Sequence, residues 1–336
     1  MNARFTVVPR IKSKVHDMFK LLLTRRCVWL GCLVWLCAGQ ATAQVAERGS
    51  LRIGYQKSSV LITVLKAKGT LEPLLAGKGI KVSWHEFSTG LPLLEALNLG
   101  NVDFSADVAD TVPVFAQAAG AQITYVAQEA PSPTAQAIVV RADSPIRQVS
   151  DLKGRKVGVA KAAGGHYLLI AALEKAGLSF KDIEPAYLTP ADGRAAFEKG
   201  AIDAWVVWDP FLSAAKVQSQ ARVLSVASDT ASYQRYYLAS DVYAKANPDV
   251  LRLIYQELQK AGVWVKKSPK EAAALLAGVW GLDASIVEQA NAHRSYKVRA
   301  VTSTGLAEQQ KIADAFLSEK LLPKRVDTQA LSVFKP

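Results

Sequence analysis

Short runs of β-branched and aromatic residues alternate with longer stretches of helical apolar spacing along most of the chain. This alternation is typical of α/β proteins, in which helices cover the faces of sheets. Glycines such as Gly100, Gly120 and Gly177 follow the helical stretches, where a left-handed residue commonly ends a helix. We therefore predict an α/β fold in which mixed sheets are flanked by helices.

The expected elements form two blocks, separated by a connector at 129–134 that contains two prolines. The chain is expected to return to the first block near Tyr236, so that two connectors join two lobes. The first lobe would comprise residues 44–130 and 236–336, and the second residues 131–235. Expected strands lie at 51–55, 81–87, 102–105, 123–127, 136–140, 156–159, 184–187, 204–208 and 222–226. Expected helices lie at 60–76, 91–99, 112–119, 165–176, 190–199 and 248–267.

The first 43 residues have the composition of an export signal. A basic segment precedes an apolar run of about 12 residues, which is followed by Ala41-Thr-Ala43. The run is too short to span a bilayer, which requires about 20 residues. We predict a signal peptide at 1–43, cleavage after Ala43, and either general secretion or a twin-arginine route through Arg25 and Arg26.

Removing this segment changes the charge and the cysteine count. It contains seven of the 41 basic and one of the 29 acidic residues, so 34 bases and 28 acids remain and the formal charge falls from +12 to +6. With no cluster of Lys and Arg, the remainder gives little support to nucleic-acid binding. All three cysteines leave, and the three histidines that remain are far apart in sequence. We predict no metal, no cofactor and no enzymatic activity.

Four junctions between strands and helices are candidates for a ligand site. Ligands of open α/β sheets bind beyond the carboxyl ends of strands, where free N–H groups of helix starts attract anions. The junctions are Gln56–Ser59, Ser105–Thr111, Ala162–His166 and Trp208–Pro210. Helix capping is the alternative role for each of them.

The junction after the predicted strand at 204–208 is the most specific. Trp208 could form the wall of an apolar pocket, and Pro210 suits the first turn of the next helix. Asp209 could cap that helix or bind a cationic or hydroxyl group of the ligand. Trp205 would face the opposite side of the strand and is assigned to the core.

Several segments of the sequence resemble the aliphatic sulfonate-binding proteins of ATP-binding-cassette (ABC) importers. They are Leu51–Lys57, Leu94–Asn98, Pro113–Gly120, Tyr187–Asp192, Ile202–Trp205 and Trp208–Pro210. The resemblance implies a two-lobed type II periplasmic binding fold with a two-stranded hinge, located in the periplasm. It also implies a monomer that holds an alkyl sulfonate in the cleft and delivers it to a membrane permease powered by a cytoplasmic ATPase.

The resemblance also implies a set of substrate-binding positions. Gln56, Ser58 and Ser59 would line the first lobe with Asp110, while Gly164, Gly165, His166, Trp208 and Asp209 would line the second. The turn at 162–166 lacks the serines of the family, and His166-Tyr167-Leu168 resembles the taurine-binding relatives. Asp107 and Asp110 together could bind an amine on the ligand.

Other functions on this fold stay open at the level of sequence. The cargo could be taurine, nitrate or a pyrimidine of the thiamine pathway. A pyrimidine-biosynthesis enzyme and a sensory binding domain are alternatives from other classes. The predicted signal and the loss of every cysteine disfavour the enzyme.

Overall fold

Two mixed β-sheets organise residues 49–336, which are the residues that the computed structural model describes. The predicted signal peptide at 1–43 lies outside them. The strands are β1 (Ser50–Gln56), β2 (Lys81–Phe87), β3 (Phe104–Ala109), β4 (Ile123–Glu129), β5 (Gln136–Val140), β6 (Lys156–Val159), β7 (Glu184–Tyr187), β8 (Ala204–Trp208), β9 (Arg222–Val226), β10 (Arg235–Ser240), β11 (Val298–Arg299) and β12 (Ser332–Val333).

Helices flank both sheets, which confirms the predicted fold class. They are α1 (Val60–Ala67), α2 (Leu71–Ala76), α3 (Gly90–Asn98), α4 (Thr111–Ala118), α5 (Gly164–Lys175), α6 (Pro190–Glu198), α7 (Phe211–Gln218), α8 (Asp241–Ala246), α9 (Pro248–Lys267), α10 (Pro269–Trp280), α11 (Ala284–Ala292) and α12 (Ser303–Ser318). Between residues 49 and 336, none of them is both long enough and apolar enough to cross a bilayer.

The first sheet has seven strands in the order β11-β4-β10-β3-β1-β2, and β12 pairs with β4. Strand β1 is parallel to both β2 and β3, so the carboxyl ends of these three strands lie at one edge. Strand β10 lies antiparallel between β3 and β4. The edge that carries the three carboxyl ends faces the starts of helices α1, α3 and α4.

The second sheet has five strands in the order β7-β6-β8-β5-β9. Strand β6 is parallel to β7 and β8, whereas β5 is antiparallel to β8 and β9. The carboxyl ends of β6, β7 and β8 therefore share an edge, from which helices α5, α6 and α7 begin.

Two connectors join the sheets. The chain leaves the first sheet after β4 and returns to it at β10, which begins at Arg235, one residue before the return expected near Tyr236. The connectors touch, because Ser132 N donates to Tyr233 O at 3.2 Å. The two sheets are therefore linked by two adjacent segments of the chain.

Two predicted elements differ from those observed by more than two residues at an end. The single helix expected at 60–76 is divided into α1 and α2, because Gly69 has a left-handed φ of 58°. Strand β3 extends to Ala109 instead of ending at Ser105, and all of its residues are buried. The junction predicted at Ser105–Thr111 is consequently reduced to Asp110.

Candidate functional site

A cavity of about 260 Å³ lies where the carboxyl ends of β1 and β2 approach those of β7 and β8. Residues of both sheets line it, so its walls come from segments far apart in sequence. The lining residues are Gln56, Lys57, Ser58, Glu86, Phe87, Ser88, Thr189, Pro190, Ala191, Trp208 and Phe211.

The wall from the first sheet carries a tight turn between β1 and α1. Ser59 N donates to Gln56 O at 2.8 Å, and Gln56 N donates to Ser59 Oγ at 3.3 Å. These bonds hold Gln56 and Ser58 on the cavity, while Ser59 lies fully buried behind them. The side chain of Lys57 is exposed and adds a positive charge to this wall.

The opposite wall is aromatic. Trp208 ends β8 and meets Phe211 edge to face, with 6.2 Å between the ring centroids. Trp208 Nε1 is buried and has no hydrogen-bond partner among the described residues. Trp205 packs against Phe197 on the other side of the strand and is only 3% exposed, which confirms its predicted place in the core.

Sequence reasoning missed two further junctions that line the cavity. Glu86–Ser88 includes the last two residues of β2 and the residue after it. Thr189–Ala191 begins α6, where Thr189 Oγ1 accepts a hydrogen bond from Asp192 N at 3.3 Å. Both lie at the carboxyl end of a parallel strand. Applying the strand-end rule to every predicted strand would have found them.

Asp209 does not line the cavity, although Trp208 beside it does. Its Oδ1 accepts hydrogen bonds from the backbone N of Ser213, at 3.0 Å, and from the Ser213 hydroxyl, at 2.6 Å. Its Oδ2 lies 2.7 Å from His293 Nδ1. Both carboxylate oxygens therefore have protein partners, one of them in the first turn of α7. A contact between Asp209 and the ligand stays a prediction.

Asp110 is buried at the start of α4 and also lies off the cavity. Its carboxylate accepts a hydrogen bond from Gln234 N at 2.8 Å, while its own N donates to Gln234 O. Burial raises the pKa of Asp110 to about 7, against the hydrogen bond from Gln234. The aspartate thus ties α4 to the connector that precedes β10.

His166 lies in an aromatic environment instead of on the cavity. Its ring contacts Phe180, Tyr187 and Phe316 at centroid distances of 5.1, 5.6 and 4.9 Å. Ala162 N donates to His166 Nδ1 at 3.3 Å. Burial lowers the pKa of His166 to about 3, so the ring is neutral at pH 7.

Gly164 and Gly165 begin α5 but are covered by other side chains. A Cβ on Gly164 would lie 2.6 Å from the ring of Tyr233, and one on Gly165 would lie 3.0 Å from Val206. Only glycine fits at Gly164 without displacing that ring. Neither glycine lines the cavity, and their contact with a ligand stays a prediction.

Four buried charged residues, called here the arginine–carboxylate cluster, lie behind the first wall: Asp107, Glu129, Arg235 and Arg294. Arg235 Nε contacts Asp107 at 2.5 Å, and Arg294 Nη2 contacts Asp107 at 2.9 Å and Glu129 at 2.5 Å. Two positive and two negative side chains balance, as buried charges require. Both arginines bind the same oxygen of Asp107, Oδ2. The hypothesis that Asp107 and Asp110 bind an amine of the ligand stays a prediction.

The chemistry of the cavity suits an anion with an apolar tail. Lys57, the Ser58 and Ser88 hydroxyls and the Gln56 amide can meet negatively charged oxygens, whereas the rings of Phe87, Trp208 and Phe211 can cover methylene groups. Within residues 49–336, no cluster of three His, Cys, Asp or Glu side chains could hold a metal ion.

Comparisons with known proteins agree with this geometry. Residues 75–272 match the family model described as NMT1/THI5 like. A protein of Escherichia coli strain K12, named as an aliphatic sulfonates-binding protein, is 41% identical over 288 residues, covering 85% of this chain and 89% of the relative.

Two solved structures have the same fold. The crystal structure of the periplasmic aliphatic sulphonate binding protein SsuA from Escherichia coli has a TM-score of 0.76 and 41% identity, covering 84% of this chain and 97% of that one. The alkanesulfonate-binding protein SsuA from Xanthomonas axonopodis pv. citri, bound to MOPS, has a TM-score of 0.80 and 38% identity, covering 86% and 99%. The resemblance seen in the sequence is confirmed, and the chain belongs to the family of aliphatic sulfonate-binding proteins.

Proposed function

We propose that this protein is the periplasmic substrate-binding component of an ABC importer and that it captures aliphatic sulfonates for sulfur acquisition. The observation that carries the proposal is the cavity, in which Lys57 and Ser58 face one side and Trp208 the other. A sulfonate keeps its charge at physiological pH, so hydrogen-bond donors and a cation are enough to bind it. Each methylene buried against the rings would add roughly 0.8 kcal/mol.

Two lobes around this cavity would trap the ligand. We assign residues 44–130 and 236–336 to the first lobe and residues 131–235 to the second, with the two connectors as the hinge. The predicted signal peptide at 1–43 would direct export and then be removed. The loaded protein, as a monomer, would deliver its cargo to a membrane permease whose transport is driven by a cytoplasmic ATPase.

Capture, and not catalysis, is the role that the cavity supports. Its described lining has serine hydroxyls but neither a histidine nor a cysteine that could act as a base or nucleophile beside them. The chain's three cysteines all precede residue 44.

A taurine cargo is the second candidate, and one observation favours it. Glu86 lies on the same cavity as Lys57, so a ligand with a sulfonate at one end and an ammonium group at the other would find both opposite charges. Calorimetry with taurine and ethanesulfonate compares the two candidates. Tighter binding of taurine would favour the taurine cargo, and equal affinities would show that Glu86 does not bind the ammonium group.

A thermal-shift panel tests the function itself. The exported protein would be heated with ethanesulfonate, MOPS, taurine, sulfate, nitrate or a pyrimidine. A ligand present at 100 times its Kd stabilises the folded state by about 2.7 kcal/mol, which raises the Tm by several degrees. We expect this rise with at least one sulfonate, and no rise with any sulfonate would contradict the proposal.

A further inference from the structure

The segment 293–297, between α11 and β11, runs along the connector that leads from β4 to β5. Ser295 N donates to Ser132 Oγ at 3.1 Å, and Ser295 Oγ donates to Ala130 O at 2.8 Å. Ala130 N in turn donates to Lys297 O at 3.0 Å. The segment is therefore fixed to one of the two links between the sheets.

Arg294 in this segment holds the wall of the cavity that belongs to the first sheet. Its Nη1 donates to Ser58 O at 3.1 Å, and Ser58 lines the cavity. The same guanidinium pairs with Asp107 and Glu129, and its side chain is 3% exposed. The position of the Ser58 turn thus depends on a residue more than 200 positions later in the chain.

His293, the preceding residue, holds the opposite wall. Its Nδ1 lies 2.7 Å from Asp209 Oδ2, and since a carboxylate only accepts, the ring nitrogen donates. Asp209 directly follows Trp208, and its other oxygen is bound by Ser213. The Asp209 carboxylate is 2% exposed, whereas the His293 side chain is 28% exposed.

We propose that His293 and Arg294 are positioning residues that hold the two walls of the cavity together and so set the rate at which a bound ligand escapes. The inference rests on the proposed function for its ligand and on the contacts above for its geometry. Two consecutive residues cannot move independently, so the wall at Ser58 and the wall at Trp208 share one support. Arg294 is locked in the buried cluster. The partly exposed bond from His293 to Asp209 is the contact that breaks when the walls separate.

Three variants test this assignment through ligand release. His293→Ala removes the donor, whereas His293→Asn retains an N–H group near the position of Nδ1. His85→Ala is the matched control. His85 is exposed on β2, and its ring lies 3.1 Å from the hydroxyl of Ser83, which does not line the cavity. Stopped-flow displacement of MOPS would measure dissociation, and thermal unfolding without ligand would measure stability.

The loss of a partly exposed hydrogen bond, similar in strength to an ordinary intramolecular one, predicts roughly five- to tenfold faster dissociation of MOPS from His293→Ala. We expect His293→Asn and His85→Ala to release MOPS at the wild-type rate, and all variants to unfold within a few degrees of the wild type. Equal dissociation from His293→Ala and the wild type would overturn the proposal, as would a failure of His293→Asn to restore slow release.

Hydrogen exchange without ligand separates this proposal from the proposed function. If the wild type binds no sulfonate, the function is wrong, but the effect of His293 on the walls is still measurable. We expect faster amide exchange at 208–213 in His293→Ala than in the wild type, and wild-type exchange in His293→Asn. Identical exchange in all three proteins would contradict the assignment independently of any ligand.

Discussion

Lys57 gives the cavity its positive charge, and its exposed side chain can be changed without disturbing the core. We predict that Lys57→Gln weakens ethanesulfonate binding about fivefold at low salt, which is the size expected for an exposed charge pair. Calorimetry would measure the affinity. The difference from the wild type should shrink as salt screens the interaction.

Lys324→Gln is the control for this prediction, because Lys324 is also exposed but does not line the cavity. It should bind ethanesulfonate as the wild type does. Equal affinity of Lys57→Gln and the wild type at low ionic strength would show that Lys57 does not contact the anion.

His166 makes the free energy of unfolding depend on pH. Burial lowers the pKa of His166 to about 3, so the unfolded chain binds a proton between pH 6.5 and 3 that the folded protein does not. The free energy of unfolding therefore falls as the pH falls through this range, by up to about 1.4 kcal/mol per pH unit. His166→Asn should remove this slope, because its Oδ1 can still accept from Ala162 N but does not titrate.

Urea unfolding of the wild type and His166→Asn between pH 7 and 4 would measure this slope. Asparagine is smaller than histidine and lowers the free energy of unfolding by the same amount at every pH. This loss does not change the slope with pH. His85→Asn, which changes an exposed histidine, should keep the wild-type slope. Parallel pH profiles for His166→Asn and the wild type would disprove the assignment.

Asp110 has the opposite effect on stability. Its folded pKa of about 7 lies above the ordinary value, so the folded protein holds a proton that the unfolded chain releases above pH 4. The contribution of Asp110 therefore becomes less favourable as the pH rises from 4 to 7. We predict that Asp110→Asn gains stability relative to the wild type over this range. A constant difference in unfolding free energy between the two proteins at pH 5 and pH 8 would refute the prediction.

Sequence could identify the site residues whose position follows from a neighbouring strand. Gln56, Ser58 and Trp208 lie at strand ends, and the cavity contains all three, although their binding roles stay predictions. The protein partners of Asp209 and His166 could not be identified from sequence. His293, just after α11, and Phe316, in α12, approach them from about 80 and 150 positions later in the chain, which no local pattern reveals.

At the scale of elements, α9 shows how one glycine allows close packing. A Cβ on Gly262 would lie 2.2 Å from the carbonyl O of Tyr296, in the segment that supports the cavity. Gly262→Ala should therefore lower the free energy of unfolding by about 1–3 kcal/mol, as overpacking does. Chemical denaturation would measure it.

Gly278 in α10 provides the matched comparison, because it is exposed and a Cβ there would meet nothing within 4 Å. Gly278→Ala should stabilise the protein by up to about 1 kcal/mol, since alanine is the better helix former. A loss of stability in both variants, or in neither, would contradict the packing account.

The elements themselves were largely predictable from periodicity. The amphipathic helix expected at 248–267 is observed with those bounds, and the strand expected at 81–87 is observed as β2. The errors arose where local pattern is ambiguous. Strand β3 is buried on both faces, so it has no alternation to mark its end, and Gly69 could have been either tolerated within a helix or used to end one.

At the scale of the whole molecule, the sheets create a site that neither contains alone. Parallel strands in each sheet place their carboxyl ends on one edge, and the two adjacent connectors bring those edges together. Sequence predicted two connectors. It could not predict which of the strand ends would meet, because that depends on packing among helices from the end of the chain.

We expect the cavity between Ser58 and Trp208 to bind a sulfonate. A crystal structure of the exported protein with MOPS, with the sulfur located by its anomalous signal, tests it most directly. We predict one sulfur within hydrogen-bonding reach of the Gln56–Ser58 turn, with the organic part of the ligand against Trp208 and Phe211. A sulfur located instead at the start of α5, beside Gly164 and His166, or no bound ligand at saturating MOPS, would contradict the account.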